Sequence, residues 1–165
     1  MNEADIQLAI YNWRHHIQAF PLIITNIYFF NWWECDALYF TRSGYCHEFE
    51  IKISHSDFIA DLAKDKHRIM QNGTGPSKFY YVCPPTDIIS LSEVPEHAGL
   101  AYVRETRGIY TGEPDRVLSL DIIKEPPIHK REKITDSKWE IIARKASTRY
   151  WKLRTAAIRQ EGYDV

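Results

Sequence analysis

The chain has 165 residues, 44% of them hydrophobic and 13% aromatic, with a formal net charge of −1. That length holds one domain with a real core, and the composition excludes a disordered chain. The near-neutral balance argues against a generic polyanion binder, but it hides an asymmetry: residues 129–159 hold ten Lys or Arg and three Asp or Glu, a balance of +7 that leaves −8 for the remainder. A basic C-terminal segment on an acidic body can be presented to nucleic acid, or it can be a solvated helix paired with that body.

Residues Asn2 to Phe20 read as a helix, with Ile6, Ile10, Trp13 and Ile17 on one face, Asn2 as cap and Pro21 as stop. Leu22 to Phe30 reads as a strand. The stretch 21–33 is the longest apolar one, but Thr25, Asn26 and Asn31 interrupt it, so no membrane helix is expected. The acidic start MNEADIQ lacks a basic n-region and an apolar core, so no signal peptide is expected.

Asn31 to Ser54 reads as a two-stranded hairpin turning at Arg42-Ser43-Gly44, with Gly44 supplying a left-handed conformation. Glu48, Glu50, Lys52 and Ser54 alternate with Phe49, Ile51 and Ile53, which puts the charges on one face. With Thr41 opposite Tyr45, Asp36 falls opposite Glu50 and Glu34 opposite Lys52. Directly opposed side chains have Cβ atoms ~5 Å apart. Two carboxylates that close repel each other unless a cation lies between them, an arrangement suited to a divalent metal with oxygen ligands and water. A solvated sheet face with chance acids is the plainer reading of the pattern alone. The flanking Trp32, Trp33, Leu38, Tyr39 and Phe40 argue for a strand well inside the sheet, where an unpaired charge is costly.

Ser56 is the expected cap of a helix from Asp57 to about Met70, with Phe58, Leu62 and Ile69 on its apolar side. Asp57, Asp61, Lys64 and Arg68 line the other side, and like charges four residues apart suggest partners across from them. The segment NGTGPSK, 72–78, connects helix to strand and does not match a phosphate-binding loop. Lys78 to Cys83 reads as the strand that completes a crossover. Ile88 to Leu91 and Leu100 to Val103 read as short flanking strands. Residues 104–127 read as irregular, with Gly108, Gly112, Pro114, Pro126 and Pro127 as breakers. Ser137 to about Gln160 reads as a long helix with Trp139, Ile142, Ala146, Tyr150, Leu153 and Ala157 as its apolar stripe. Cys35, Cys46 and Cys83 show no C-x-x-C spacing, and two of them lie in predicted strands, so buried reduced thiols and a cytoplasmic setting are expected.

Asp36 followed by Glu50-Ile51-Lys52 at the end of the next strand resembles the PD-(D/E)XK nuclease superfamily. The flanks Ser54-His55-Ser56-Asp57-Phe58, Asp61, Lys64, Lys66-His67-Arg68, Lys78 through Pro84, and Pro95 with Ala98-Gly99-Leu100 are similar to its small phage and bacterial branch, related to MmcB-like DNA-repair proteins. The resemblance covers roughly residues 1–105. Cys35 stands where the motif's proline would be. The resemblance implies an α/β, restriction-endonuclease-like αβββαβ core (1–105), a mixed sheet flanked by helices, an irregular connection (106–136) and a basic C-terminal helix (137–160), all in one domain. It implies a metal-dependent nuclease acting on DNA in phage or repair processing, in the cytoplasm of a bacterial or phage-infected cell. Asp36, Glu50 and the Ile51 carbonyl would hold Mg²⁺ or Mn²⁺, and Lys52 would orient or help deprotonate water and stabilise developing charge. Glu34, Glu48, Ser54, Asp57, Asp61, Lys64 and the first-helix acid Glu3 would support the site. Lys66, Arg68, Lys145, Arg149 and Lys152 would contact nucleic acid. Many relatives act as dimers, so a homodimer is also implied. The runner-up is a non-catalytic nucleic-acid-binding or protein-interaction module on the same fold, with the triad as a structural ion-pair cluster.

Overall fold

The computed structural model describes residues 1–17, 22–28, 33–85, 88–109, 114–129 and 132–160. It separates into two compact units, Met1–Glu132 and Lys133–Val165. The first unit is a mixed α/β layer structure. Its elements are α1 (Glu3–Ile17), β1 (Leu22–Tyr28), β2 (Glu34–Phe40), β3 (Cys46–Ile51), α2 (His55–Leu62), α3 (Lys66–Gln71), β4 (Lys78–Cys83), β5 (Gly99–Ile109) and β6 (Pro114–Lys124). The second unit is the helix α4 (Asp136–Gln160).

The six strands form one sheet in chain order. β1–β2, β2–β3 and β5–β6 pair antiparallel, while β3–β4 and β4–β5 pair parallel. A parallel pair needs a crossover, and α2 with α3 supplies the one between β3 and β4. Alternation along each strand splits the core into two layers. On one face Ala37, Tyr39, Phe49, Ile51, Tyr80, Val82, Val103, Leu118 and Leu120 pack with Ile6, Ala9 and Ile10 of α1. On the other, Phe79, Tyr81, Cys83 and Leu100 pack with Phe58 of α2 and Met70 of α3. Each such side chain contributes roughly 1.5–3 kcal/mol of burial.

The hairpin has the expected register, from Phe40 opposite Cys46 to Ala37 opposite Phe49. Thr41 N donates to Tyr45 O at 2.8 Å, Gly44 N donates to Thr41 O at 2.9 Å, and Gly44 has φ +88°. A three-residue loop with a left-handed third residue matches the strand twist. Asn2 caps α1 reciprocally with Asp5, each backbone N–H meeting the other's side chain.

Three expectations need correction. The helix expected from Asp57 to Met70 is two helices, broken at Ala63-Lys64-Asp65, and Ser54 caps the first of them in place of Ser56: the Asp57 amide donates to Ser54 Oγ at 3.2 Å. Ile88 to Leu91 is not a strand; Ile89 is buried and a 3-10 turn follows at Leu91–Glu93. The stretch read as irregular holds most of a long β5–β6 ribbon, with Arg104 opposite Ser119 and Ile109 opposite Pro114. Proline is tolerated as a strand's first residue, and Leu118-x-Leu120-x-Ile122 supplies the period-two face that the neighbouring breakers obscured. The readings at Phe20, Pro21, Phe29 to Trp32 and Gly112 lie outside the described residues.

Gly99 marks where β5 enters the sheet. A Cβ there would stand 2.7 Å from each of Lys124 O, Pro126 Cδ and Tyr80 Cδ1, atoms with little freedom to move. Gly99→Ala is therefore expected to destabilise the fold by about 1–3 kcal/mol. Urea unfolding checks this, and an unchanged midpoint would contradict it.

Candidate active site

The site forms where the parallel β3–β4 seam meets α2 and α3. Glu48 and Glu50 project from β3 onto the helix-covered face and are buried, as are Lys52, Asp61 and Lys66. β3 ends at Ile51, but the Lys52 amide still donates to Val82 O at 2.9 Å, so the chain follows β4 for one more residue. That turns the Lys52 ammonium back under α2. It donates to Glu50 Oε1 at 2.8 Å and lies 3.3 Å from Asp61 Oδ1 and 3.5 Å from Asp57 Oδ2.

Asp61 gathers the rest. It is fully buried on α2, and its Oδ1 lies 2.7 Å from Lys64 Nζ and 2.9 Å from Lys66 Nζ. These are charge contacts and not directed hydrogen bonds. Its Oδ2 accepts from Tyr81 Oη at 3.0 Å and lies 3.2 Å from His67 Nε2, which also meets Asp61 O at 2.9 Å. Two oxygen acceptors facing Nε2 require that nitrogen to carry the hydrogen. Nδ1 of His67 meets His97 Nε2 at 3.0 Å. Lys66 returns to Glu50 Oε1 at 2.9 Å, closing the cluster.

The electrostatics follow from burial. Burial pushes the Asp61 carboxyl up, but the His67 hydrogen bond and the Lys66 charge outweigh it and hold the group well below the usual carboxylate range. Burial pulls the Lys52 ammonium down, but the charge and hydrogen bond of Glu50 and the charge of Asp61 outweigh it, so Lys52 holds its proton more tightly than a free lysine. Lys66 is raised in the same way by Glu50, Glu48 and Asp61 against burial. Asp36 moves the other way: burial first, then the charge of Glu50, raise it to about 6 despite the Ile51 N–H bond. Burial raises Glu48 to about 8, with Lys66 opposing.

Asp36 Oδ2 accepts the Ile51 amide at 2.8 Å, which ties β2 to the end of β3 beyond the last paired residues. Glu48 Oε1 accepts from Trp33 Nε1 at 2.7 Å. The Oε2 atoms of Glu48 and Glu50 are buried without a hydrogen-bond partner among the described residues. Among those residues no three His, Cys, Asp or Glu side chains gather as a metal-ligating group. A Glu50 oxygen without a hydrogen-bond partner among the described residues, and an Asp36 whose proton affinity is raised by burial and then by Glu50's charge, nonetheless fit a hard cation that takes few carboxylates and keeps its waters.

Glu50, Lys52, Asp57, Asp61 and Lys64 thus come together as expected from the sequence, with Asp36 and Glu48 beside them. Glu34 does not join them: it is exposed at the start of β2 opposite Tyr28, and Lys52 directs its ammonium to Glu50, Asp61 and Asp57. Ser54 is the helix cap. Lys66, expected as a nucleic-acid contact, is a buried member of the cluster, because the helix break turns it inward. Arg68 is exposed and lies 3.3 Å from Asp65. Glu3 Oε1 accepts from Gln7 Nε2 at 2.8 Å and from Asn26 Nδ2 at 2.7 Å, and its charge adds to the rise of Asp36. Gln7 Nε2 also meets Asp36 O at 3.2 Å. Lys145, Arg149 and Lys152 lie on α4 in the second unit. Sequence reasoning missed the roles of His67, Tyr81, Gln7 and Asn26. Tyr81 had a signal, since it alternates with Phe79 and Cys83 on the site face of β4; the contact of Asp61 with His67 had none, since the two lie six residues apart across a helix break.

No family model and no curated protein matches the chain. Among solved structures it is similar to a protein of unknown function from Silicibacter pomeroyi, with a TM-score of 0.64 and 14% identity over 100% of this chain and 97% of the other. That likeness shows a shared fold.

Two outcomes follow from the cluster. Asp61→Asn leaves the two buried ammonium groups of Lys52 and Lys66 sharing the charge of Glu50 and should cost about 3–5 kcal/mol in chemical denaturation; a loss under about 1 kcal/mol, the range of exposed ion pairs, would mean that the pairs are weak. Glu48 binds its proton more tightly folded than unfolded. Its contribution is therefore complete below its ordinary value of 4.5 and lost as pH rises through about 8. Glu48→Gln cannot ionise, so its melting temperature relative to wild type should climb between pH 5 and pH 9. Parallel pH profiles for the two proteins would refute the buried titration.

Proposed function

We propose that the chain is a Mg²⁺- or Mn²⁺-dependent deoxyribonuclease of the PD-(D/E)XK type, working on DNA in phage or repair processing in a reducing cytoplasm. The observation that carries this reading is Glu50: one of its oxygens is held by Lys52 and Lys66, the other is buried without a hydrogen-bond partner among the described residues, and its charge adds to the burial that raises the proton affinity of Asp36. Asp36, Glu50 and the Ile51 carbonyl would hold the metal ion. Bound there, a divalent cation would lower the proton affinity of water and neutralise phosphate charge. Lys52 keeps its proton in this environment, which suits it to stabilise charge on the phosphate or orient the water and does not suit it to act as the base. Asp61, with His67 and Tyr81 behind it, fixes Lys52 and Lys66. The buried, free cysteines suit a reducing setting, and burial pushes the Cys83 thiol up to about 12. Among the described residues no helix is long and apolar enough to cross a membrane.

A second reading has its own observation. Lys52 and Lys66 already neutralise Glu50, so the cluster balances without a cation and could belong to a non-catalytic DNA-binding or protein-interaction module.

Purified protein is incubated with labelled single-stranded, duplex and branched DNA in Mg²⁺, Mn²⁺ or EDTA, beside Asp36→Asn and Lys52→Ala. Metal-dependent cleavage is expected, falling by roughly 10²–10⁴-fold in Lys52→Ala. Either metal should also raise the melting temperature of wild type and not of Asp36→Asn. No cleavage and no metal-dependent shift would leave the ion-pair module as the function of the fold.

A further inference from the structure

α4 carries an exposed aromatic off the apolar stripe read from its sequence, a stripe in which Ile142 is buried while Tyr150 and Leu153 are exposed. Trp151 is 60% exposed. It lies nine residues beyond Ile142, which at ~100° per residue puts it on the opposite side of the helix from that stripe position. Ser147, Thr148, Trp151, Lys152, Thr155 and Arg159 line one shallow surface, and Arg144 falls two turns before Trp151 on the same side. Tyr150, 59% exposed, meets the Trp151 ring edge-on with centroids 5.3 Å apart. From Ile141 to Gln160 there are six Lys or Arg and no Asp or Glu. An exposed tryptophan with hydroxyls at the preceding and following turns, on about 30 Å of uniformly cationic helix, combines the two features that sequence-tolerant single-strand binders use. These are a positive track for the phosphates and a ring on which an unpaired base stacks.

We propose that this face of α4 binds single-stranded DNA, with Trp151 stacking on a base and Arg144, Lys152 and Arg159 holding phosphates. The occupant follows from charge and ring together: duplex DNA would satisfy the cations but offers no free base face to Trp151. The proposal rests on the reading of DNA as substrate and adds that the strand is engaged unpaired.

The test is fluorescence anisotropy of the full chain in EDTA, so that cleavage plays no part, using a labelled oligothymidylate and a duplex of equal length over a range of salt. Wild type is expected to bind the single strand more tightly. Trp151→Ala should weaken that binding roughly 5- to 150-fold while leaving the salt dependence unchanged. Arg144→Ala with Arg159→Ala should flatten the salt dependence. Circular dichroism of each variant reports whether the helix is retained. Equal binding of duplex and single strand, or a helical Trp151→Ala that binds as wild type does, would overturn the proposal. So would a wild-type dimer that Trp151→Ala converts to monomer without loss of DNA affinity, because the face would then be a contact between copies. A protein that binds single strands here yet never cleaves with metal would lose the nuclease reading and keep this one.

Discussion

The Asp61 carboxylate is the constraint on which the site depends. A fully buried acid is tolerable only if charge and hydrogen bonds surround it. Asp61 has three ammonium groups within 3.3 Å on one oxygen, and a histidine and a tyrosine at the other. Those partners come from β3's end, the α2–α3 break, α3 and β4. One group therefore ties together the elements around the parallel seam. It also sets the character of Lys52: sharing its ammonium between Glu50 and Asp61 keeps that lysine cationic.

The two sides of Glu50 divide the site into a balanced half and an unbalanced half. Toward α2 and α3, acids and lysines alternate and cancel. Toward β2, the Asp36 carboxylate accepts the Ile51 amide, and burial with the charges of Glu50 and Glu3 raises it against that bond and the charge of Lys52. Charge asymmetry of this kind is what distinguishes a site that would accept a cation from a cluster that only holds a fold together. Under the nuclease reading, the raised proton affinity of Asp36 is what a bound cation would reverse.

Much of this was legible in the sequence where a local rule spoke. The hairpin register followed from Gly44 and the alternation through Phe49 and Ile51, and it correctly brought Asp36 toward the end of β3. The like-charge spacing of Asp57 with Asp61 suggested a partner across from it, and Lys52 meets both, whereas Lys64 and Arg68 pair with Asp61 and Asp65 three residues before them. What failed was non-local. Lys66 and His67 face inward because the chain breaks at Ala63 to Asp65, which no residue there announces as glycine or proline would. The β5–β6 ribbon was hidden because edge proximity makes Pro114 and Gly108 tolerable in strands. Glu34 was misassigned because β3 stops one residue before the pairing that would have brought it to Lys52.

The parallel seam has a consequence for how the molecule assembles. β1–β2, β2–β3 and β5–β6 pair strands that are neighbours in sequence, whereas His47 must find Lys78, and Tyr80 must find Gly99, across whole crossovers. Pairings between residues distant in sequence carry more loop-closure entropy and lag behind local ones. The lysines and acids of the site stand on β3, just past its end, and on the α2–α3 crossover, and Tyr81 of β4 closes the cluster at Asp61. Without the crossover in place the β3 charges lack the α2 and α3 partners that make their burial tolerable, so a local opening of α2 and α3 would rehydrate the whole cluster together.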